Sequence, residues 1–137
     1  MVYSRSNKEL LFREVPNSKN SSVLFSTIDK YSSSDFQSES RMKGTLLKLN
    51  TISLNDLLIK YNSPKIIDYL SIDTEGSEYE ILKSFNFKKY IFKVITCEHN
   101  YTSNREKIYK LLISKGYKRV SKEISNEDDW YIYIKKI

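Results

Sequence analysis

Alternation between short apolar runs and capped helix starts constrains the fold of this chain more than any other feature. The helix starts share a serine followed three residues later by Asp or Glu, a spacing typical of a capping box, at Ser53, Ser77 and Ser103. The apolar runs share the length and β-rich composition of strands, at Ile66–Ile72, 91–97 and 117–124. Strands joined through helices favour a parallel sheet with right-handed crossovers.

The last strand of this pattern must run the other way. Residues 130–134 alternate apolar and polar side chains and follow residues 117–124 after a turn at 126–129. Such a turn is too short for a crossover, so it predicts an antiparallel last strand. The predicted fold class is α/β, with a mostly parallel sheet and one reversed strand. Ile66–Ile72 is a short apolar run, interrupted by Asp68 and Ser71, and it is long enough for a strand buried on both faces.

The chain divides into two parts at about residue 50. Residues 1–50 are predicted to be an irregular N-terminal segment with short strands, in which residues 10–15 pair with residues 45–51. Residues 16–22 read as a polar loop, and residues 32–43 are polar and without an active-site motif. Residues 51–137 hold the α/β sheet.

Polar residues follow the first two predicted strands of the sheet. Ligands of open α/β sheets bind beyond the carboxyl ends of the strands, and the candidates there are Asp73, Glu75, Gly76, Glu98, His99 and Asn100. Neighbouring strands lie about 4.8 Å apart, so Asp73 and Glu98 are expected to face one cleft.

This cleft allows two kinds of chemistry. Crowded carboxylates raise one another's pKa and make one of them a proton acceptor. Alternatively, Asp73, Glu98 and Asn100 offer the oxygen ligands that Mg²⁺ or Ca²⁺ prefers. His99 is the second candidate base, because its ordinary pKa lies closest to neutrality. Gly76 would let a ligand approach the backbone.

Charge and cysteine content narrow the function classes. The net charge is +6, but the basic residues are scattered along the chain, which disfavours a nucleic-acid-binding domain. No apolar stretch reaches the length of a membrane span. Cys97 is the single cysteine and cannot form an internal disulfide, so we expect a cytoplasmic protein.

The stretch from Thr51 to Trp130 resembles the FkbM methyltransferase family. The most specific match is the strand that ends in Asp73-Thr74-Glu75-Gly76-Ser77-Glu78, and the segments 94–100 and 116–117 continue it. The resemblance implies a class I, Rossmann-like methyltransferase sheet. It also implies methyl transfer from S-adenosylmethionine, usually to a hydroxyl of a sugar or other small metabolite. The family's acidic motif would fall on Asp73, Glu75 and Glu78.

One part of the family pattern is missing from the sequence. Family members carry a glycine-rich strand-loop that holds the cofactor, whereas this chain has only Gly44, Gly76 and Gly116 and no G-x-G. We therefore expect the chain to correspond to the C-terminal portion of the family, to bind S-adenosylmethionine poorly and to show little activity on its own. The cofactor-binding residues stay open, with Gly76 as a candidate. The alternative function is a non-catalytic α/β interaction module.

The missing strand would also leave one side of the Ile66–Ile72 strand without a partner. Buried backbone groups without hydrogen-bond partners destabilise the folded state. An exposed apolar strand edge also tends to pair with a strand of another chain. We expect either the N-terminal segment of the chain or a second copy of the protein to cover this edge.

Overall fold

A computed structural model describes residues 1–15, 26–33 and 38–135. The N-terminal elements are β1 (Val2–Tyr3), β2 (Glu9–Glu14), β3 (Thr27–Ile28), a 3₁₀ turn (Asp29–Tyr31), α1 (Ser38–Met42), β4 (Thr45–Asn50) and β5 (Ile52–Ser53). The remaining elements are α2 (Leu54–Lys60), β6 (Ile66–Ile72), α3 (Glu78–Ser84), β7 (Ile91–Glu98), α4 (Asn104–Ser114), β8 (Tyr117–Val120) and β9 (Asp128–Tyr133). The polar loop expected at residues 16–22 lies outside the described ranges.

The main sheet has four strands in the order β6-β7-β9-β8. β6 and β7 are parallel, while β9 is antiparallel to both β7 and β8, which confirms the reversed last strand. The sheet is nevertheless mixed rather than mostly parallel. Because the connection from β8 is short, β9 lies next to β8. β9 therefore separates β8 from β7, and these two strands, which run in the same direction, do not pair with each other.

β6 is the outermost strand of this sheet, and the prediction that it is buried on both faces is wrong. Asp68 and Ser71 are exposed, and Ile66 and Tyr69 keep 42% and 55% of their surface accessible. Within the described ranges β6 pairs with β7 alone. A run of apolar residues reveals strand character, but burial on both sides also requires a second neighbour.

The core lies between the sheet and the helices α3 and α4, which contact each other. Its fully buried members are Ile81, Leu82, Ile95, Leu112 and Tyr131. Each of these large apolar side chains contributes about 1.5–3 kcal/mol when it leaves water, so this layer fixes how the loops after β6 and β7 are held. No helix in the described part of the chain is long and apolar enough to cross a membrane.

Of the three predicted capping boxes, one forms the expected capping hydrogen bond. Ser53 Oγ accepts the Asp56 N–H at 3.1 Å, as expected. Ser77 and Ser103 precede their helices without a capping hydrogen bond from the side chain. A capping serine needs extended backbone, and the ψ angles of 2° at Ser77 and −14° at Ser103 are not extended.

The N-terminal segment forms its own three-stranded sheet in the order β3-β2-β4. β2 and β4 are antiparallel over their full lengths, with Leu10 opposite Leu49, which confirms the predicted pairing of these two strands. Residues 38–42, within the polar stretch that showed no motif, form α1. This helix places the fully buried side chain of Arg41 beside the loop after β6.

Candidate active site

Three carboxylates meet where β6 and β7 end. One oxygen each of Asp73, Glu75 and Glu98 lies within 4.8 Å of the others. Asp73 follows the last residue of β6 and Glu98 is the last residue of β7, and parallel strands bring these ends to one edge of the sheet. The expected meeting of Asp73 and Glu98 is confirmed, while their catalytic roles stay predictions.

Glu98 is the carboxyl group most strongly altered by this crowding. Burial, followed by the charges of Glu75 and Asp73, raises the pKa of Glu98 to about 9. Asp128 lies opposite Glu98 in the ladder between β7 and β9. Burial and then the charge of Asp73 also raise the pKa of Asp128. Sequence reasoning missed Asp128, because only the antiparallel return of β9 brings it to this edge.

Glu75 is held by residues of the N-terminal segment and of the loop after β7. The buried guanidinium of Arg41 forms an ion pair with its carboxylate. Thr27 Oγ1 donates to the Glu75 carbonyl at 2.7 Å, and Asn100 Nδ2 lies 3.5 Å from Glu75 Oε2. Asn100 therefore turns its amide nitrogen towards the cluster. The oxygen that a metal would need from Asn100 is not the atom presented.

The loops after both strands contain residues in the left-handed region. Glu75 and Gly76 have φ angles of 55° and 111°, and Asn100 and Tyr101 have φ angles of 42° and 55°. This region is unfavourable for residues other than glycine, and such residues cluster at functional sites. Gly76 is therefore needed for the turn itself, independently of any ligand.

Glu78 shapes the first of these loops. Its carboxylate accepts the Thr74 N–H at 2.7 Å, the Thr74 hydroxyl at 2.8 Å and the Gly76 N–H at 3.1 Å. The residue is 3% exposed, so the carboxylate is surrounded by the backbone that it organises. Of the acidic motif, Asp73 and Glu75 join the carboxylate cluster and Glu78 supports the loop.

His99 is buried and its acceptor nitrogen is already used. Nδ1 accepts the Tyr101 N–H at 3.0 Å, which leaves the proton of the neutral ring on Nε2. Nε2 lies 3.7 Å from Asp129 Oδ1 and has no hydrogen-bond partner within the described ranges. Burial, and then the charge of Arg105, lower the pKa of His99. This arrangement supports a structural role for His99 more than that of a base.

Asp129 is a buried centre of charge beside His99. Arg105 donates to both its oxygens at 3.0 and 2.7 Å, and Arg119 donates at 3.1 Å. Burial would raise the pKa of Asp129, but the hydrogen bonds from Arg105 and Arg119 hold it below its ordinary value. Through these hydrogen bonds, Asp129 links α4 to β8 and β9 and so fixes the start of α4 against the site. No sequence motif predicted this group of ion-paired residues.

A small cavity opens beside the carboxylates. The residues that line it include Glu98, Asn100, Ser103 and Asn104, and its volume is about 130 Å³. This is the space of a few water molecules, at about 30 Å³ each, and far below the roughly 300 Å³ or more of a typical small-molecule pocket. The cavity suits a hydroxyl group or an ion rather than a whole nucleoside.

The glycines do not form a cofactor cradle. A Cβ on Gly44 would lie 2.6 Å from the Glu14 carbonyl oxygen, and one on Gly116 would lie 2.7 Å from the Lys135 side chain. Both glycines therefore pack against their own chain, and the Gly76 N–H is bonded to Glu78. The described residues do not fit a complete S-adenosylmethionine site. The three carboxylates do fit the donor set of a hard divalent cation.

Comparison with known families gives one match, which covers most of the chain. Residues 5–122 match the family model described as the methyltransferase FkbM domain. The match includes both strand ends of the candidate site and the helix α1, which supplies Arg41. No curated protein and no solved structure matches the chain.

Proposed function

The chain belongs to the FkbM methyltransferase domain family, and from this membership we propose that it acts in methyl transfer from S-adenosylmethionine to a hydroxyl of a sugar or another small metabolite. The observation that carries the proposal is the meeting of Asp73, Glu75 and Glu98 within 4.8 Å. A hydroxyl becomes a better nucleophile when a positioned group accepts its proton. Crowded carboxylates at a strand end supply such a group.

Glu98 is the proposed proton acceptor. Its pKa of about 9 makes it a stronger base than an ordinary carboxylate once it is ionised. Burial and the neighbouring charges of Glu75 and Asp73 keep the Glu98 carboxyl group protonated near neutrality, so it becomes a proton acceptor as the pH approaches its raised pKa. The acceptor hydroxyl would enter the small cavity next to Glu98, and its proton would pass to the Glu98 carboxylate.

The proposal assigns the acceptor side of the reaction to this chain. S-adenosylmethionine supplies a methyl group that is activated by the positive sulfur. The described residues offer no fitting cradle for it, so Gly76 is not proposed as a cofactor residue.

A divalent cation is an alternative occupant of the carboxylates. Asp73, Glu75 and Glu98 would hold it, and it would polarise the acceptor hydroxyl. Asn100 is less suited than expected, because its amide nitrogen faces Glu75. Titration with Mg²⁺ at pH values on either side of about 9 tests this. The cation must displace the proton of Glu98, so its affinity should rise with pH up to that value.

The enzymatic proposal is tested by labelled methyl transfer at millimolar S-adenosylmethionine against a panel of sugars and other hydroxyl compounds. Turnover should rise with pH towards about 9 as Glu98 ionises. Glu98→Gln should reduce the rate by about 10²–10⁴-fold, and Asp73→Asn should also lower it. Asp68→Asn, which changes an exposed carboxylate of β6, is the matched control and should leave the rate unchanged.

A second candidate function is a non-catalytic interaction module. The small cavity and the glycines packed against their own chain favour it. This candidate predicts no turnover with any acceptor, even at millimolar donor. The two functions are separated by whether any transfer is seen that Glu98→Gln abolishes.

A further inference from the structure

Within the described ranges, no strand pairs with the outer edge of β6, a strand of seven residues. The Ile91 N–H donates to the Lys65 carbonyl at 2.9 Å, so Lys65 directs its backbone towards β7. Alternate residues of a strand direct their backbone groups to opposite sides. The N–H and C=O groups that face outward therefore belong to Ile66, Asp68, Leu70 and Ile72.

This edge lacks the features that protect other edges of the described structure. Edge strands are commonly kept from pairing by shortness, lysine, proline or bulges. β8 has four residues and exposes Lys118, and β4 exposes Lys48. β6 contains no lysine and no proline. Its one charged side chain, Asp68, is bonded at 2.6 Å to Lys93 of the neighbouring strand.

We propose that a second copy of this chain pairs with β6 in antiparallel fashion, with Tyr69 opposite Tyr69 of the partner subunit. The two main sheets then form one continuous sheet of eight strands about a two-fold axis. The outward groups of Ile66 and Asp68 bond those of Ile72 and Leu70 across the axis. The exposed side chains of Ile66 and Tyr69 leave water in the same step. This pairing does not depend on the methyl-transfer proposal.

The register follows from the backbone pattern and from charge. The two-fold axis must pass through a residue of β6 and not between two residues. Only then do the outward-facing backbone N–H and C=O groups of one strand lie opposite those of the other. Centring on Asp68 would place two aspartates directly opposite each other, which is destabilising. Centring on Leu70 would pair only residues 68–72. Centring on Tyr69 pairs all seven residues and separates the two aspartates.

The same register brings a basic residue to the acidic site. Lys65, one residue before β6, comes opposite Asp73 of the partner subunit, one residue after its β6. Side chains of residues 65, 69 and 73 lie on one face of the strand. The ammonium group of Lys65 therefore approaches the carboxylates of the partner, and the two-fold axis makes two such pairs. Each candidate site thus gains a positive charge from the other chain.

Disulfide trapping of the full 137-residue chain tests the contact and its register. In a non-hydrogen-bonded antiparallel pair the Cα atoms lie about 4.5 Å apart, within the range of roughly 4.4–6.8 Å for a disulfide. Tyr69→Cys should form a covalent dimer under mild oxidation. Ile66→Cys is the matched control, because its Cα lies about 20 Å from that of Ile66 of the partner subunit, six residues away along the strand.

Charge exchange tests the pairing without a new cysteine. Lys65→Glu should raise the dimer dissociation constant, measured by sedimentation, at least about tenfold, since like charges then oppose each other. The double variant Lys65→Glu with Asp73→Lys should restore the dimer. Lys118→Glu makes the same charge change at an exposed position of β8, at the opposite edge of the main sheet, and should have no effect. A monomer at every concentration, cross-linking through residue 66 rather than 69, or no response to Lys65→Glu would overturn the proposal.

Discussion

Arg41 and Glu75 are 34 positions apart in sequence, and the fully buried guanidinium of the first forms an ion pair with the carboxylate of the second. Thr27 adds a second link between the N-terminal segment and the same loop, through the Glu75 carbonyl. The N-terminal segment is thus part of the candidate site, and its folding determines where the Glu75 carboxylate lies.

Arg41→Ala should destabilise the protein by about 3–5 kcal/mol, because it leaves the Glu75 carboxylate without its buried cation. Urea unfolding monitored by circular dichroism measures this change. Lys43→Ala removes an exposed basic side chain next to the same helix and should change the free energy of unfolding by less than about 0.5 kcal/mol. Equal, small effects of both substitutions would contradict a structural role for the Arg41–Glu75 pair.

Stability should fall as the pH rises towards 9. The ordinary pKa of a glutamate is 4.5, and that of Glu98 in the folded protein is about 9. Between these values the folded state binds more protons than the unfolded state, so the free energy of unfolding decreases with rising pH. Glu98→Gln should flatten this decrease. Chemical unfolding of both proteins at several pH values checks it, and parallel pH profiles for the two would refute it.

Asp129→Asn should cost about 3 kcal/mol or more, because Arg105 and Arg119 lose the buried anion that pairs them. The pKa of Asp129 is lowered in the folded state, so its stabilising effect is present above the ordinary pKa and is lost as the pH falls through the lower folded value. The variant should therefore lose part of the acid sensitivity of the parent protein. Asp68→Asn at an exposed ion pair should cost no more than about 1 kcal/mol.

Titration calorimetry with S-adenosylmethionine should give a dissociation constant well above the micromolar range. The physical reason is that Gly44 and Gly116 pack against their own chain and the Gly76 N–H is bonded to Glu78. A methyltransferase with a complete glycine-rich loop serves as the positive control. Micromolar affinity would mean that other residues of this chain build the pocket.

Local patterns predicted the elements but not all of their environments. Apolar runs located β6 and β7, and the short turn before the last strand fixed its antiparallel direction. Whether β6 is interior or outermost depends on another strand, which no pattern within Ile66–Ile72 can reveal. In the same way, the spacing at Ser77 suggested a cap, but the backbone there is set by the loop that Glu78 holds.

The candidate site was predictable where it followed from topology. Asp73 and Glu98 are each next to the end of a strand, so the parallel pairing of β6 and β7 brings them together. Arg41 and Asp129 were not predictable, because each reaches its place through contacts between distant segments. Neither residue has a neighbouring pattern that distinguishes it from an ordinary surface charge.

The position of β9 inside the sheet has a consequence for synthesis of the chain. β6 and β7 can pair as soon as both have left the ribosome, with α3 folding against them. β8 follows, but within the described ranges its one partner is β9, which is made later. Until residues 128–133 emerge, one edge of β7 lacks its partner strand and the core lacks Tyr131. Completion of both the sheet and the core therefore waits for the last strand to be made.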